Sequence, residues 1–114
     1  MMNLDQAKGM LLGMAAGDAL GTSLEFSRPS PDDKLHTEII GRGPFNLPAG
    51  TFTDDTSMAL AMASSLIERQ EFDPIDVMEE FWKWYQDGEY SPEKRCFDIG
   101  NTTRDGLNDW SSNY

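Results

Sequence analysis

Gly50–Glu68, GTFTDDTSMALAMASSLIE, sets two adjacent aspartates between threonines and follows them at once with an apolar run. Met58, Leu60, Ala61, Met62, Leu66 and Ile67 recur at helical spacing over more than one face. This pattern predicts a deeply buried helix that begins near Asp55. Asp and Thr are favoured at helix starts, where their oxygens accept backbone N–H groups and acids suit the helix dipole. The same oxygens are hard ligands of the kind Mg²⁺ or Ca²⁺ takes. At a loop-to-helix junction neighbouring side chains can converge as they cannot within a regular helix. Capping and cation binding therefore both remain open for Thr53, Asp54 and Asp55. Repulsion between the twin acids, on a chain of formal charge −11, would be relieved by a cation.

Upstream, Asn3-Leu4-Asp5-Gln6 reads as a capping box that opens a helix with Leu4, Ala7, Leu11, Met14 and Ala15 on one side. Glycine recurs at 9, 13, 17 and 21. Glycines inside a helix give up roughly 1 kcal/mol each against alanine, so this one loses roughly 2–3 kcal/mol by propensity. The four-residue spacing keeps them on one stripe that a second backbone could approach closely. A glycine-lined helix buried among other helices is the expectation. Between Thr22 and Thr53, Pro29, Pro31, Pro44 and Pro48, the charged run Asp32–Glu38 and GRGPFNLPAG mark one long irregular connection. A strand pair around Thr37–Ile40 is conceivable there.

Downstream, Asp73 as N-cap, Pro74 at the first helical position and Gly88 as the stop frame a further helix. Its inward set is Ile75, Met78, Phe81, Trp82 and Tyr85, and Glu79, Glu80, Lys83 and Gln86 face water. A last helix starts near Asn101 with Leu107 and Trp110 inward. In DIGNTTRDGL, Asp98–Leu107, the residues Gly100, Asn101, Thr102 and Thr103 lead into it. Its free N–H groups could meet a phosphate with Arg104 near by, although such a run is also an ordinary helix start. No strand alternation, repeat or low-complexity tract stands out. The expected fold is all-α, a single domain over residues 1–114 with about four or five helices and one long loop.

Twenty acids against nine Lys and Arg give a surface that repels nucleic acid and anionic lipid, so neither is an expected partner. A cation or a basic protein suits it better. The single cysteine, Cys96, cannot form an internal disulfide, which fits a reducing, cytoplasmic setting. His36 is the sole histidine, so a His-rich metal site or a Ser-His-Asp triad lacks material. No signal peptide is read at the start, and Met10–Leu20 is too short to span a membrane.

Taken in order, GMLLGMAAGDALGTSLEF, GTFTDDTSMALAMASSLIE and FDIGNTTRDGL resemble the ADP-ribosyl-glycohydrolase family, which includes the dinitrogenase-reductase-activating glycohydrolases. The resemblance covers nearly the whole chain and matches the N-terminal part of the family. It implies an all-α orthogonal bundle, here truncated. It also implies a magnesium-dependent hydrolase acting on the N- or O-glycosidic bond to ADP-ribose. On that basis Thr53, Asp54 and Asp55 match the first ligand group of a binuclear magnesium centre, with both acids in catalytic roles. Glu25 matches the acid on a mobile loop that approaches metal and substrate. Gly100–Thr103 matches part of the wall beside ADP-ribose.

The family's second ligand group, an Asp-x-Asp-Thr segment, has no counterpart here, since Asp105 and Asp109 stand at helical spacing. The resemblance thus implies half a metal site, weak or empty in the isolated chain, and no turnover by the chain alone. A complementary chain supplying the missing ligands is the partner implied. The alternative is a catalytically inert acidic inhibitor, for example phage-encoded, that reuses the scaffold to block a basic protein. A nucleotide sensor with residual ADP-ribose affinity ranks behind both. Exposed apolar surface would also allow a homo-oligomer.

Overall fold

The computed structural model describes every residue except Pro29 and Leu35. Its regular elements are four α-helices, α1 Leu4–Gly21, α2 Asp54–Arg69, α3 Pro74–Asp87 and α4 Asn101–Asn113, with short 3₁₀ turns at Thr22–Leu24 and Gly43–Phe45. The fold is all-α, as expected. In place of a strand pair near Thr37–Ile40, the described residues hold one isolated bridge, Arg42 with Leu47. No helix among the described residues is long and apolar enough to cross a membrane. The chain divides into two compact units, Met1–Thr53 and Asp54–Tyr114.

In the first unit the capping box forms as read. Asn3 Oδ1 accepts from the Gln6 N–H at 2.9 Å, and Gln6 Oε1 accepts from the Asn3 N–H at 3.0 Å. The burial expected of α1 does not follow. Ala19 is its one buried residue, Leu4 and Leu12 are each 68% exposed, and nothing lies within 4 Å of a Cβ added at Gly9, Gly13, Gly17 or Gly21. Periodicity identifies a stripe suited to close packing; it does not supply the neighbour.

The long connection beyond α1 is folded by specific contacts. Residues 43–45 pack on the turn at Thr22–Leu24, Phe26 meets Phe45 edge-to-face at 6.3 Å, and Leu47 is buried. Gly43 at φ +72° has no room for a side chain, since a Cβ would lie 2.7 Å from the Ser23 Cα. Thr22 is buried beneath this contact.

In the second unit α2 packs on α3, and α3 on α4. Asp73 caps α3 by accepting from the N–H groups of Ile75 and Asp76 at 3.0 and 3.2 Å. Gly88 ends α3 at φ +72°. The core is Ala61, Val77, Trp84, Phe97 and Leu107. Trp82 lies 5.6 Å from Tyr85 and 6.4 Å from Trp110, joining α3 to α4.

Three side-chain expectations are corrected in this unit. Met62, Leu66 and Ile67 are exposed, and α2 buries Thr56, Ser57, Ala61 and Ser65 instead, so its inner face is narrow and small. Ile75 is 55% exposed rather than inward. Glu80 does not face water: its side chain is only 12% exposed, accepts from Lys83 Nζ at 2.6 Å and takes the Tyr90 hydroxyl proton in a hydrogen bond. Burial, then that bond, raises the Tyr90 pKa.

Asp76 is likewise buried, accepting from the Ser65 hydroxyl at 2.6 Å and Arg69 Nη2 at 2.8 Å. The Arg69 bond first, and the Ser65 bond second, hold its carboxyl below the usual carboxylate range.

Gly88 offers a direct test of this framework. A Cβ there would fall 2.3 Å from the Arg95 nitrogen, on top of the left-handed φ. Gly88→Ala should therefore lower stability by about 2 kcal/mol or more, read as a lower urea midpoint with unchanged slope.

Candidate functional site

The junction between the long connection and α2 begins with Thr53, the last residue of the first unit. Thr53 is 1% exposed. Its backbone N–H donates to Asp18 Oδ2 at 2.8 Å and its hydroxyl donates to Asp18 Oδ1 at 2.5 Å. One carboxylate near the end of α1 thus holds both donors of a residue 35 positions away. Hydrogen bonds to a charged acceptor contribute about 1.5–3 kcal/mol each, so this pair fixes the end of the connection.

Asp54 opens α2 in the second unit, half-buried, with Oδ1 accepting from the Asp55 N–H at 3.0 Å. Asp55 is exposed. Both stand in the first turn, where acids suit the helix dipole. Asp54 also acts on Cys96. Burial first, then the charges of Asp54 and Asp98, push the Cys96 thiol up to about 11 from an ordinary 9.0. The thiol is therefore protonated at neutral pH and is no nucleophile there.

Glu25 is half-buried in the first unit and closes the 3₁₀ turn through its N–H to the Thr22 carbonyl at 3.2 Å. Gly100 is the N-cap of α4 with extended ψ of 145° and no side-chain cap bond. Asn101 and Thr102 are exposed and Thr103 is half-buried. Thr102 and Thr103 line an apolar pocket of about 220 Å³ with Met58, Met78, Phe81, Gly106 and Leu107. Arg104, read as a phosphate neighbour, lies 3.6 Å from Asp105 in an exposed pair.

The donors at the junction are one hydroxyl and two carboxylates, the chemistry a hard divalent cation takes. Among the described residues no three His, Cys, Asp or Glu side chains converge as a metal site. Sequence reasoning placed Thr53, Asp54 and Asp55 together through covalent adjacency, and it missed the pairing of Asp18 with Thr53. Asp18 is the one charged residue between Met10 and Leu20, and a charge in so apolar a helix segment is the signal that could have singled it out.

The chain is all-α, with twin acids in the first turn of α2 and a buried threonine directly before them in sequence. The ADP-ribosylglycohydrolase family model matches residues 2–113, and the chain belongs to that family. It is 53% identical over 106 residues to the ADP-ribosylarginine hydrolase Tri1 of Serratia proteamaculans, covering 92% of this chain and 28% of that protein. It is 38% identical to the ADP-ribosyl-[dinitrogen reductase] glycohydrolase of Rhodospirillum rubrum, covering 90% of this chain and 34% of that protein. A solved ADP-ribosylglycohydrolase-related protein complex matches with a TM-score of 0.73 at 38% identity, over 91% of this chain and 32% of that one. The chain thus spans about a third of the length of these relatives.

The raised Cys96 pKa predicts slow alkylation. At pH 7.5 a thiol shifted from 9.0 to about 11 holds on the order of a hundredfold less thiolate, and iodoacetamide labelling of the folded chain should slow in proportion. Labelling as fast in the folded chain as in urea would contradict the shift.

Proposed function

We propose that this chain is the portion of an ADP-ribosyl-glycohydrolase that supplies the first half of a magnesium site, Thr53, Asp54 and Asp55. The complete site would hydrolyse the N- or O-glycosidic bond to ADP-ribose. Membership of the family supports the reaction class. The observation that supports the site is the clamp on Thr53, the residue that precedes Asp54 and Asp55 in the sequence.

The relatives named as ADP-ribosylarginine hydrolases favour an ADP-ribosylated arginine as substrate. When bound, magnesium would neutralise charge and lower the pKa of a coordinated water. The residues' own work is to bind and orient. Thr53, Asp54 and Asp55 would hold the cation, Glu25 would handle a proton at the glycosidic bond, and Gly100–Thr103 would form part of the wall for ADP-ribose. An octahedral ion needs more oxygens than three residues offer, and water in the remaining positions makes for weak binding. The remaining ligands would come from the polypeptide that corresponds to the rest of the relatives' length.

The chain alone, supplied with ADP-ribosyl-arginine and Mg²⁺, should release no ADP-ribose. Adding the complementary part of the Serratia relative should restore release, and Asp54→Ala should abolish it again. Turnover by the chain alone would overturn the half-site reading. Restored turnover that survives Asp54→Ala would overturn the role of the twin acids.

A further inference from the structure

α1 is apolar around most of its circumference. Its polar side chains are Asp5, Gln6, Lys8 and Asp18, and Gly9–Gly17 has none. With about 3.6 residues per turn, Ala7, Met14, Ala15 and Asp18 share one side, and these are half-buried. The opposite side carries Gly9, Gly13, Ala16 and Gly17, all exposed. Met10 and Leu12 stand at its edges, 59% and 68% exposed. Nothing lies within 4 Å of a Cβ added at any of the three glycines. Two large apolar side chains therefore border an open floor of hydrogens and one methyl group.

A helix with apolar residues on every side is made for the interior of a body that surrounds it. The fraction of surface a fold can bury grows with its length, and these 114 residues cover one side of α1 only. The chain spans 28% to 34% of its relatives' lengths, so most of each relative lies outside the match. A second copy of this chain is the poorer occupant, since it would set one formal charge of −11 against another.

We propose that the open side of α1, Gly9–Gly17 with Met10 and Leu12, is the docking surface for a helix of the polypeptide that corresponds to the rest of the relatives' length. This rests on the reading of the chain as one portion of a larger hydrolase. The chemistry of the occupant follows from the floor it covers. Without side chains at Gly9, Gly13 and Gly17, a second helix can approach closely and seat a ridge of large apolar side chains between Met10 and Leu12. A charged ridge is unsuited, because Gly9–Gly17 offers no charged partner and burying an unpaired charge is costly.

The test co-expresses the full chain, tagged, with the part of the Serratia relative beyond the match and reads recovery of that part on the tag. Gly13→Leu fills the floor. In the chain alone it should hold or raise the thermal midpoint, because the space is open and leucine favours helix. In the pair it should cut recovery about tenfold or more. Leu12→Asp should leave the chain alone folded and cut recovery about a hundredfold or more by burying an unpaired charge. A cysteine placed by Ala16→Cys should alkylate readily in the chain alone and become protected in the pair, over a slow background from the protonated Cys96.

A lowered midpoint for Gly13→Leu in the chain alone overturns the inference, since the side would already be covered. So does undiminished recovery with a folded Leu12→Asp chain. A chain that sediments as a dimer, broken by Leu12→Asp, gives the surface to a second copy and overturns it as well. A pair that forms and is broken by both variants, yet releases no ADP-ribose, supports this docking surface and overturns the proposed function instead. A pair that hydrolyses and is indifferent to both variants does the reverse. No recovery on the unaltered chain overturns both.

Discussion

Asp18 grips Thr53 by both of its donors, and the order of the first unit depends on that grip. The connection from Thr22 to Thr53 has almost no regular structure, so its far end needs an anchor. Closing a loop of this length costs only slightly more entropy than closing one half as long. Two charge-assisted hydrogen bonds, together with buried Leu47 and the tight approach at Gly43, suffice to hold it. The anchor leaves Thr53 fixed one peptide bond before Asp54.

The second unit works by different means. α3 carries the largest buried side chain, Trp84, and α2 meets α3 with small residues, Ala61, Ser57 and Ser65. Small residues let two helices approach closely, but they bring hydroxyls into the interface, and those hydroxyls need partners. The Ser65 hydroxyl donates a hydrogen bond to Asp76 and the Ser57 hydroxyl donates one to the Tyr90 carbonyl. Asp76 in turn takes the Arg69 guanidinium, which pays for burying a carboxylate. A chain of charge −11 can therefore pack acids against its helices where each has a donor in reach.

Much of the architecture was legible from local signals. Asn3 with Gln6, Asp73 with Pro74, and Gly88 each announce a helix boundary through chemistry within four residues, and all appear where read. The three motifs behind the family resemblance are likewise contiguous stretches. Misreadings fall where the decisive partner is remote or missing from the pattern. Ile75 has the spacing of a core residue and is exposed; Glu80 has the spacing of a surface residue and lies against Tyr90. Periodicity ranks faces by polarity, and burial follows whichever face a neighbour covers.

By itself the sequence determined the all-α class, the ends of the helices and the adjacency of Thr53, Asp54 and Asp55, because caps, stops and neighbouring ligands are short-range properties of the chain. Tertiary structure alone decided that Asp18 reaches across 35 residues to Thr53, that α1 leaves its glycine stripe open, and that Asp76 and Glu80 are satisfied inside a pocket-lining network. Those outcomes depend on which distant surfaces meet, and no residue's own propensity encodes the partner that folding brings to it.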